Sequence, residues 1–188
     1  MGRWVPGAQG RLIKAAMELY SKRGYEQTTV AEIAERAGLT ERTFFRYFAD
    51  KREVLFFGSE FLERAIAEAL ERAPADAAPI DAIGAALESV ATFFTDGRSH
   101  PQRRQAVIDA NPELRERERN KHAALGVAMA AALQRRGVKE STAALAAEMG
   151  VAVFKIAFER WLRDPIERDT AYYIRESLAE LKSVSAGR

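Results

Sequence analysis

The sequence predicts an all-α fold of about nine helices, in which a small three-helix N-terminal domain precedes a larger helical region. Apolar residues recur at helical spacing in successive segments, helix-capping signals begin these segments, and Gly or Pro separates them. Three helix starts fall within the stretch TVAEIAERAGLTERTFFRYFADK alone, which spans residues 29–51. We predict a domain boundary after residue 52, so that residues 1–52 form the first domain and residues 53–188 form the second.

The chain begins with a short segment that we expect to be an arm or a disordered tail. If it is an arm, Arg3 and Arg11 could reach a phosphate group or a minor groove. Apolar residues then repeat at helical spacing over residues 10–23, and Gly24 ends this first helix. We expect the first helix to cover the back of the two short helices that follow it.

The next two helices are short and closely spaced. Thr29 and Glu32 have the spacing of a capping box, which predicts a helix start. Gly38 predicts a left-handed helix end, and Thr40 begins a second short helix. Two short helices joined by a turn that contains Gly are typical of the helix-turn-helix motif.

The second short helix carries four aromatic residues within six positions. Its spacing places Phe44 and Phe48 on one face, which we assign to the core. The side chains of Arg, Thr, Phe and Tyr on the other faces suit a DNA groove, where they can contact bases and phosphates. Lys51, at the start of the next predicted helix, suits a phosphate contact. An ordinary amphipathic helix pair with exposed aromatic residues is the alternative.

This stretch resembles the TetR family of bacterial transcriptional regulators over roughly residues 10–56. The resemblance rests on Gly24-Tyr25, Thr28-Thr29-Val30, Ile33-Ala34, Ala37-Gly38-Leu39, Thr43-Phe44-Phe45, Tyr47-Phe48 and Lys51. It implies a homodimer, by default a repressor, whose N-terminal domain binds a double-stranded DNA operator. It also implies a C-terminal domain for ligand binding and dimerisation. A dimer with two recognition helices in successive major grooves predicts that this operator is an inverted repeat. Some members have an arginine where this chain has Ala31, so one base contact of those members is missing here.

The resemblance also implies roles for individual residues of the motif. Phosphate contacts are implied for Thr29 and Thr40 at the helix starts. Base contacts are implied for Glu41, Arg42, Thr43 and Phe45. Contacts to the DNA backbone are implied for Arg46, Tyr47 and Lys51.

Composition is consistent with a soluble globular protein. The chain has 188 residues, of which 47% are hydrophobic and 30% are charged, and it has no cysteine. Residues 1–58 contain ten Lys or Arg and seven Asp or Glu, a net charge of +3, whereas residues 59–188 have a net charge of −1. No uncharged run approaches 18 residues and no signal-peptide pattern is present, so we expect a cytoplasmic protein without a membrane partner.

The remaining helices follow from caps and breaks. One helix is predicted from Asp50 to Arg72, with one end in each domain, and we expect it to transmit conformational change. Asn111-Pro112-Glu113 marks a strong helix start. Further helices are predicted over about residues 80–95, 102–110, 112–136, 141–163 and 166–184.

The last two helices are predicted to form a homodimer interface. The helix over residues 143–162 is apolar on more than one face, which suggests a partner surface as well as a core. Ala146 and Gly150 are four residues apart and would allow another helix to approach closely. The expected interface consists of Ala146, Gly150, Val153, Phe158, Trp161, Tyr173, Ile174 and Leu178.

An apolar effector pocket is predicted among the C-terminal helices, although residues of these types are more often plain core residues than ligand contacts. Its candidate residues are Phe57, Phe61, Phe93, Phe94, Arg104, Asn111, Leu125, Met129 and Phe154. The run from Arg42 to Phe48 and the run from Asn111 to Arg115 resemble the branch of the family that includes mycofactocin-type regulators. Some relatives of that kind respond to acyl-CoA thioesters, so the resemblance implies an acyl-CoA or another apolar metabolite as effector.

The sequence also bears on two other classes of function. The sequence lacks the HExxH, GxGxxG, GxxxxGK[ST] and GxSxG motifs, so we expect no enzyme, no cofactor and no metal. A helical protein-interaction module without specific DNA binding remains the alternative to a regulator.

Overall fold

The computed structural model describes residues 7–94, 97–166 and 168–187, and Arg3 therefore lies outside the described residues. Within these ranges the chain forms nine α-helices, one short 3-10 helix and no strand, which confirms the all-α prediction. The α-helices are α1 (Ala8–Arg23), α2 (Val30–Arg36), α3 (Glu41–Tyr47), α4 (Ser59–Glu71), α5 (Pro79–Ser89), α6 (Ser99–Ala110), α7 (Pro112–Arg135), α8 (Glu140–Arg163) and α9 (Thr170–Ser185). The 3-10 helix is Ala91–Phe94.

The chain divides into two compact units. The first unit contains the described residues up to Gly58 together with Gly97–Glu118, and the second contains the rest. This division differs from the predicted boundary after residue 52. Val54, Leu55 and Phe56 share one apolar core with α1, α2 and α3, so they belong to the first unit. The same core includes Val107, Ile108 and Leu114 from α6 and the start of α7.

The predicted continuous helix from Asp50 to Arg72 is wrong. Asp50 does act as a cap, because its Oδ1 accepts the backbone N–H of Arg52 at 2.8 Å and that of Glu53 at 3.1 Å. The residues that follow form turns rather than a helix, and Gly58 has φ +89°, a left-handed conformation that favours glycine. Helix α4 begins only after this break.

The second unit is built around α8. Its apolar core combines α4, α5, α7, α8 and α9, and its largest fully buried side chains include Leu70, Ile83, Leu87, Met129, Leu133 and Tyr173. Gly150 allows α8 to approach α5 and α7 closely. A Cβ atom on Gly150 would lie 2.6 Å from Ile83 Cγ2 and 3.1 Å from Met129 Sδ.

These contacts change the interpretation of the predicted dimer residues. Most of the predicted set is buried in the core of the second unit, namely Ala146, Gly150, Val153, Trp161, Tyr173 and Ile174. Phe158 and Leu178 are half-buried and pack against the same core. The small residues of α8 therefore serve packing within the chain, because α5 and α7 occupy the space that a partner helix was expected to take.

Helix α8 also has an exposed apolar face. Leu145, Met149, Ala152 and Ile156 are exposed and follow one another at intervals of four, three and four residues. This spacing places them on one side of the helix, roughly opposite the buried face. We call these four residues the α8 stripe.

In the described part of the chain, α8 alone is long and apolar enough by composition to cross a membrane. The sequence had predicted no membrane-spanning segment, because no uncharged run approaches 18 residues. A core helix meets the same criterion, and Phe154 and Trp161 of α8 are buried in the second unit.

Several helix starts differ from the prediction, and α6 begins at Ser99 rather than at residue 102. Helix α8 begins at Glu140 rather than after Ser141 or Thr142, and no side chain caps it. Helix α9 begins at Thr170, where Asp169 accepts the backbone N–H of Tyr172 at 2.8 Å.

Candidate nucleic-acid interface

The first helix of the helix-turn-helix is fixed at both ends by the predicted signals. Thr29 Oγ1 accepts the Glu32 backbone N–H at 3.2 Å, and Glu32 Oε2 accepts the Thr29 backbone N–H at 2.9 Å. At the other end Gly38 has φ +65°, and the Leu39 backbone N–H donates to the Ala34 carbonyl at 2.9 Å. The capping box and the glycine turn are both confirmed, and they define where α2 begins and ends.

The second helix, α3, separates a buried face from an exposed one. Thr40 caps it by accepting the Thr43 backbone N–H at 3.2 Å. Phe44 is fully buried and Phe48 is buried, as predicted, whereas 54% of Phe45 is exposed. Neighbouring residues of a helix point about 100° apart, so Phe44 lies in the core while Phe45 lies on the exposed face.

The exposed face of α3 is cationic and aromatic. The Arg46 guanidinium lies 5.0 Å from the centre of the Tyr47 ring and donates to the Tyr47 hydroxyl at 3.3 Å. Within residues 7–94, 97–166 and 168–187, neither Arg42 nor Arg46 forms an ion pair, so both are available to an anionic partner. Glu41 is also exposed, and Thr43 is half-buried.

The residues at the start of α2 are engaged with one another. Thr29 is exposed, but its hydroxyl lies 3.0 Å from Glu32 Oε2. Hydrogen bonds from the Thr29 backbone and hydroxyl, and then the charge of Arg23, lower the pKa of the Glu32 carboxyl. The ion pair of Glu32 with Arg23, at 2.6 Å, ties α2 to the end of α1.

Lys51, for which the sequence predicted a DNA phosphate contact, forms hydrogen bonds within the first unit. Its Nζ donates to three backbone carbonyls of the α1–α2 loop, those of Tyr25 at 2.9 Å, Glu26 at 3.2 Å and Thr28 at 2.9 Å. The Tyr20 hydroxyl donates to the Lys51 carbonyl at 2.7 Å, and burial raises the pKa of Tyr20 above its ordinary value. Sequence reasoning missed this arrangement because the partners are more than 20 positions apart.

Three predicted pocket residues lie in the first unit. Arg104 Nε donates to the Leu55 carbonyl at 2.6 Å, and Asn111 Nδ2 donates to the Val107 carbonyl at 2.6 Å. Phe57 is 55% exposed. Both polar side chains therefore hold the backbone of their own unit.

The other six predicted pocket residues lie in the second unit. Phe94 lies beside Phe158 and Trp161, with ring centres 5.4 and 5.7 Å apart, and Phe154 stacks on Phe158 at 6.1 Å. We call Phe94, Phe154, Phe158 and Trp161 the aromatic cluster. Leu125 and Met129 are buried in the same core, whereas Phe61 and Phe93 form an exposed pair with ring centres 5.2 Å apart.

Two family descriptions match the chain. The one for bacterial regulatory proteins of the tetR family matches residues 12–56, and the one for the MftR C-terminal domain matches residues 77–186. The first match covers α2, α3 and the segment that contains Lys51. The second covers more than half of the chain.

Named relatives agree with these matches. The mycofactocin biosynthesis transcriptional regulator MftR of Mycobacterium tuberculosis is 27% identical over 79% of this chain and 77% of its own length. The transcriptional regulator TcmR of Streptomyces glaucescens is 41% identical over 46% of this chain, and the match spans only 38% of TcmR.

A solved structure shows the same overall fold. The TetR family repressor FadR of Thermus thermophilus, in complex with lauroyl-CoA, is 25% identical with a TM-score of 0.56, over 93% of each chain. These relatives are transcriptional regulators, so this chain is a regulator with a DNA-binding helix-turn-helix rather than an enzyme. The chain belongs to the TetR family of bacterial regulatory proteins and carries an MftR-type C-terminal domain.

Proposed function

We propose that the protein is a repressor that binds an inverted-repeat operator as a homodimer and is released by a small, largely apolar effector. The observation that supports DNA binding is the exposed face of α3. Arg42, Phe45, Arg46 and Tyr47 lie on this face and take no part in the apolar core. Arginine can donate two hydrogen bonds to guanine, and Phe can contact the methyl group of thymine. Thr29, Thr40, Glu41 and Thr43 complete the proposed contact surface.

The two units take different tasks in this proposal. The first unit, with α1, α2, α3 and α6, binds DNA. The second unit binds the effector and contributes the dimer surface. The protein acts in the cytoplasm, where the operator is accessible.

The α8 stripe supports the homodimer. Leu145 is 66% exposed and Ile156 is 49% exposed, although both lie on a helix whose opposite face is the core of the second unit. A second copy of the same stripe would cover this apolar surface across a twofold axis. In such a dimer two recognition helices would enter successive major grooves, roughly 34–36 Å apart.

The aromatic cluster of the second unit supports an apolar effector. Phe94 and Phe158 are half-buried, so they can contact a ligand without complete unpacking of the core. FadR of Thermus thermophilus was solved with lauroyl-CoA, and we extend this ligand class, acyl-CoA, to the present chain as a proposal. Phe61, Phe93, Leu125, Met129 and Phe154 would provide further contacts.

Effector release follows from the linkage between the two half-sites. A ligand can shift a conformational equilibrium only by its difference in affinity for the two states. An effector that favours a dimer with a different separation of recognition helices prevents simultaneous contact with both half-sites. The gain in affinity that comes from two linked sites is then lost. The predicted helix from Asp50 to Arg72 does not transmit this change as one rod, because the chain breaks at Gly58 before α4 begins.

Fluorescence anisotropy with DNA that flanks the gene for this protein tests the proposal. We expect tight binding that weakens with salt, at least 100-fold tighter than binding to unrelated DNA. Arg42→Ala and Tyr47→Phe should weaken operator binding, whereas Arg175→Ala, an exposed change in the second unit, should not. Lauroyl-CoA should release the operator, and CoA alone should not.

Two outcomes would contradict the proposal. Full operator affinity in both the Arg42 and Tyr47 variants would show that α3 does not read DNA. The protein could also bind flanking and unrelated DNA equally and bind a protein partner through α3. That result would favour the alternative function, a helical protein-interaction module.

A further inference from the structure

We propose that Lys51 is a positioning residue, whose ammonium holds the α1–α2 loop in place behind the recognition helix instead of binding a DNA phosphate. The proposal rests on the DNA-binding function proposed above. It replaces the phosphate contact that the sequence suggested for this residue.

The hydrogen-bonding capacity of Lys51 is fully used. An ammonium group has three N–H donors and no acceptor. The three carbonyl oxygens of Tyr25, Glu26 and Thr28 lie within 2.9–3.2 Å of Nζ. Nζ also lies 4.4 Å from the centre of the Tyr25 ring, which favours a cation at this place. A phosphate could therefore be bound only after one of these hydrogen bonds is broken.

The contacts of Lys51 connect three parts of the first unit. The three carbonyls belong to the loop that directly precedes Thr29, the cap of α2. Lys51 itself follows the end of α3 by four residues. The Tyr20 hydroxyl of α1 donates to the Lys51 carbonyl. A single residue thus links α1, the start of α2 and the end of α3.

The loop itself explains why such a link is needed. Tyr25 and Thr28 are buried, although they belong to a connecting segment. The bonds from Lys51 to the Tyr25 and Thr28 carbonyls are partly buried, and a buried carbonyl that loses its donor costs about 1–3 kcal/mol. Lys51 supplies three donors at one point. Without it the loop would rearrange, and the orientation of α2 relative to α3 would no longer be fixed.

The proposal predicts that lysine and arginine are not equivalent at position 51. At a phosphate contact either residue provides a positive charge, so arginine should retain much of the affinity. Three carbonyls around one point match a compact ammonium with three rotatable donors, whereas guanidinium is a planar fork. Lys51→Arg should therefore fail at a positioning site although it keeps the charge.

The experiment compares Lys51→Met, Lys51→Arg and wild type by anisotropy over a range of salt concentrations, with operator and unrelated DNA. We expect both variants to lose at least 10-fold in operator affinity, measured at a temperature where circular dichroism shows folded protein. Affinity for unrelated DNA and the salt slope should stay unchanged. Arg46→Ala serves as the phosphate-contact control and should reduce the slope by about 0.9. Lys139→Met controls for the loss of an exposed lysine elsewhere.

The inference fails if Lys51→Met reduces the salt slope by about 0.9 while Lys51→Arg retains operator affinity. It also fails if both folded variants bind the operator like wild type, because Lys51 would then act on stability alone. Wild-type protein that binds operator and unrelated DNA equally would instead overturn the proposed function.

A measurement on wild type covers the case in which the variants do not fold. An ammonium held by three carbonyls exchanges its protons slowly enough for its ¹H–¹⁵N signal to be observed by NMR. We expect this Lys51 signal in the free protein, with little change when operator is added. A signal that appears only in the DNA complex would overturn the proposal.

Discussion

Arg104 Nε donates to the backbone carbonyl of Leu55 at 2.6 Å, and this bond joins α6 to the segment that follows the helix-turn-helix. The Arg104 guanidinium also lies 5.2 Å from the centre of the Phe56 ring and 3.5 Å from the Glu118 carboxylate. Burial lowers the pKa of Arg104, and the charge of Glu118 opposes this effect. Residues on α6 thereby become part of the proposed DNA-binding unit, although they lie about 50 positions further along the chain.

Arg104→Met should lower the free energy of unfolding of the first unit by about 2 kcal/mol, because a hydrogen bond to a charged group contributes about 1.5–3 kcal/mol. Met retains most of the apolar stem but leaves the Leu55 carbonyl without this donor. Urea denaturation would measure the change. Arg103→Met is the matched control, since Arg103 is exposed and its Nε donates to the Ser99 carbonyl of its own helix turn. Equal stability of the two variants would contradict the assigned role of Arg104.

Phe44 and Phe45 provide an adjacent pair with opposite roles. Phe44→Ala should destabilise the protein by about 3–5 kcal/mol, because it leaves a cavity in the core of the first unit. Phe45→Ala should cost at most about 1.5 kcal/mol, the value of its edge contact with Phe44, and should weaken operator binding. Thermal unfolding and anisotropy would separate the two effects. A Phe45 variant with unchanged operator affinity would remove Phe45 from the proposed contact surface.

The features that could be predicted from the sequence are those set by near neighbours in the chain. The Thr29–Glu32 capping box, the turn at Gly38 and the division of Phe44 from Phe45 each depend on residues within about four positions. The positions of these residues in the helical repeat were therefore enough to predict the motif and its exposed face.

The contacts that were missed are those between distant residues. The positions of Lys51 and Arg104 depend on carbonyl groups 23–49 residues away, and a backbone carbonyl leaves no trace in the sequence. Similarly, the spacing of Ala146 and Gly150 indicates that a helix approaches closely, but not whether that helix belongs to the same chain. In this protein it does, since Gly150 faces Ile83.

Gly150 and Gly126 make this distinction testable. Gly150→Ala should destabilise the protein by about 1–3 kcal/mol, because its Cβ would overlap Ile83 Cγ2 at 2.6 Å. A Cβ on Gly126, in the middle of α7, would meet only ordinary contacts at 3.4 and 3.5 Å. Gly126→Ala should thus stabilise the protein by about 0.5–1 kcal/mol through helix propensity. Thermal unfolding at several protein concentrations would measure both changes.

If Gly150 instead faced a partner subunit, the Gly150→Ala defect would diminish as protein concentration rises, because mass action would restore the dimer. A defect that is independent of concentration agrees with packing inside one chain.

Unlike Gly150, the residues of the α8 stripe are expected to face a partner subunit. Leu145→Glu should shift the protein from dimer to monomer, since the charge would have to be desolvated in an apolar interface. Sedimentation velocity would report the change in mass, and operator affinity should fall because the two half-sites are no longer linked. Ala144→Glu is the matched control: Ala144 is exposed on the same helix but lies about 100° away from Leu145. A Leu145→Glu protein that remains dimeric would show that another surface joins the subunits, whereas dissociation of the Ala144 variant as well would show that the interface extends beyond the stripe.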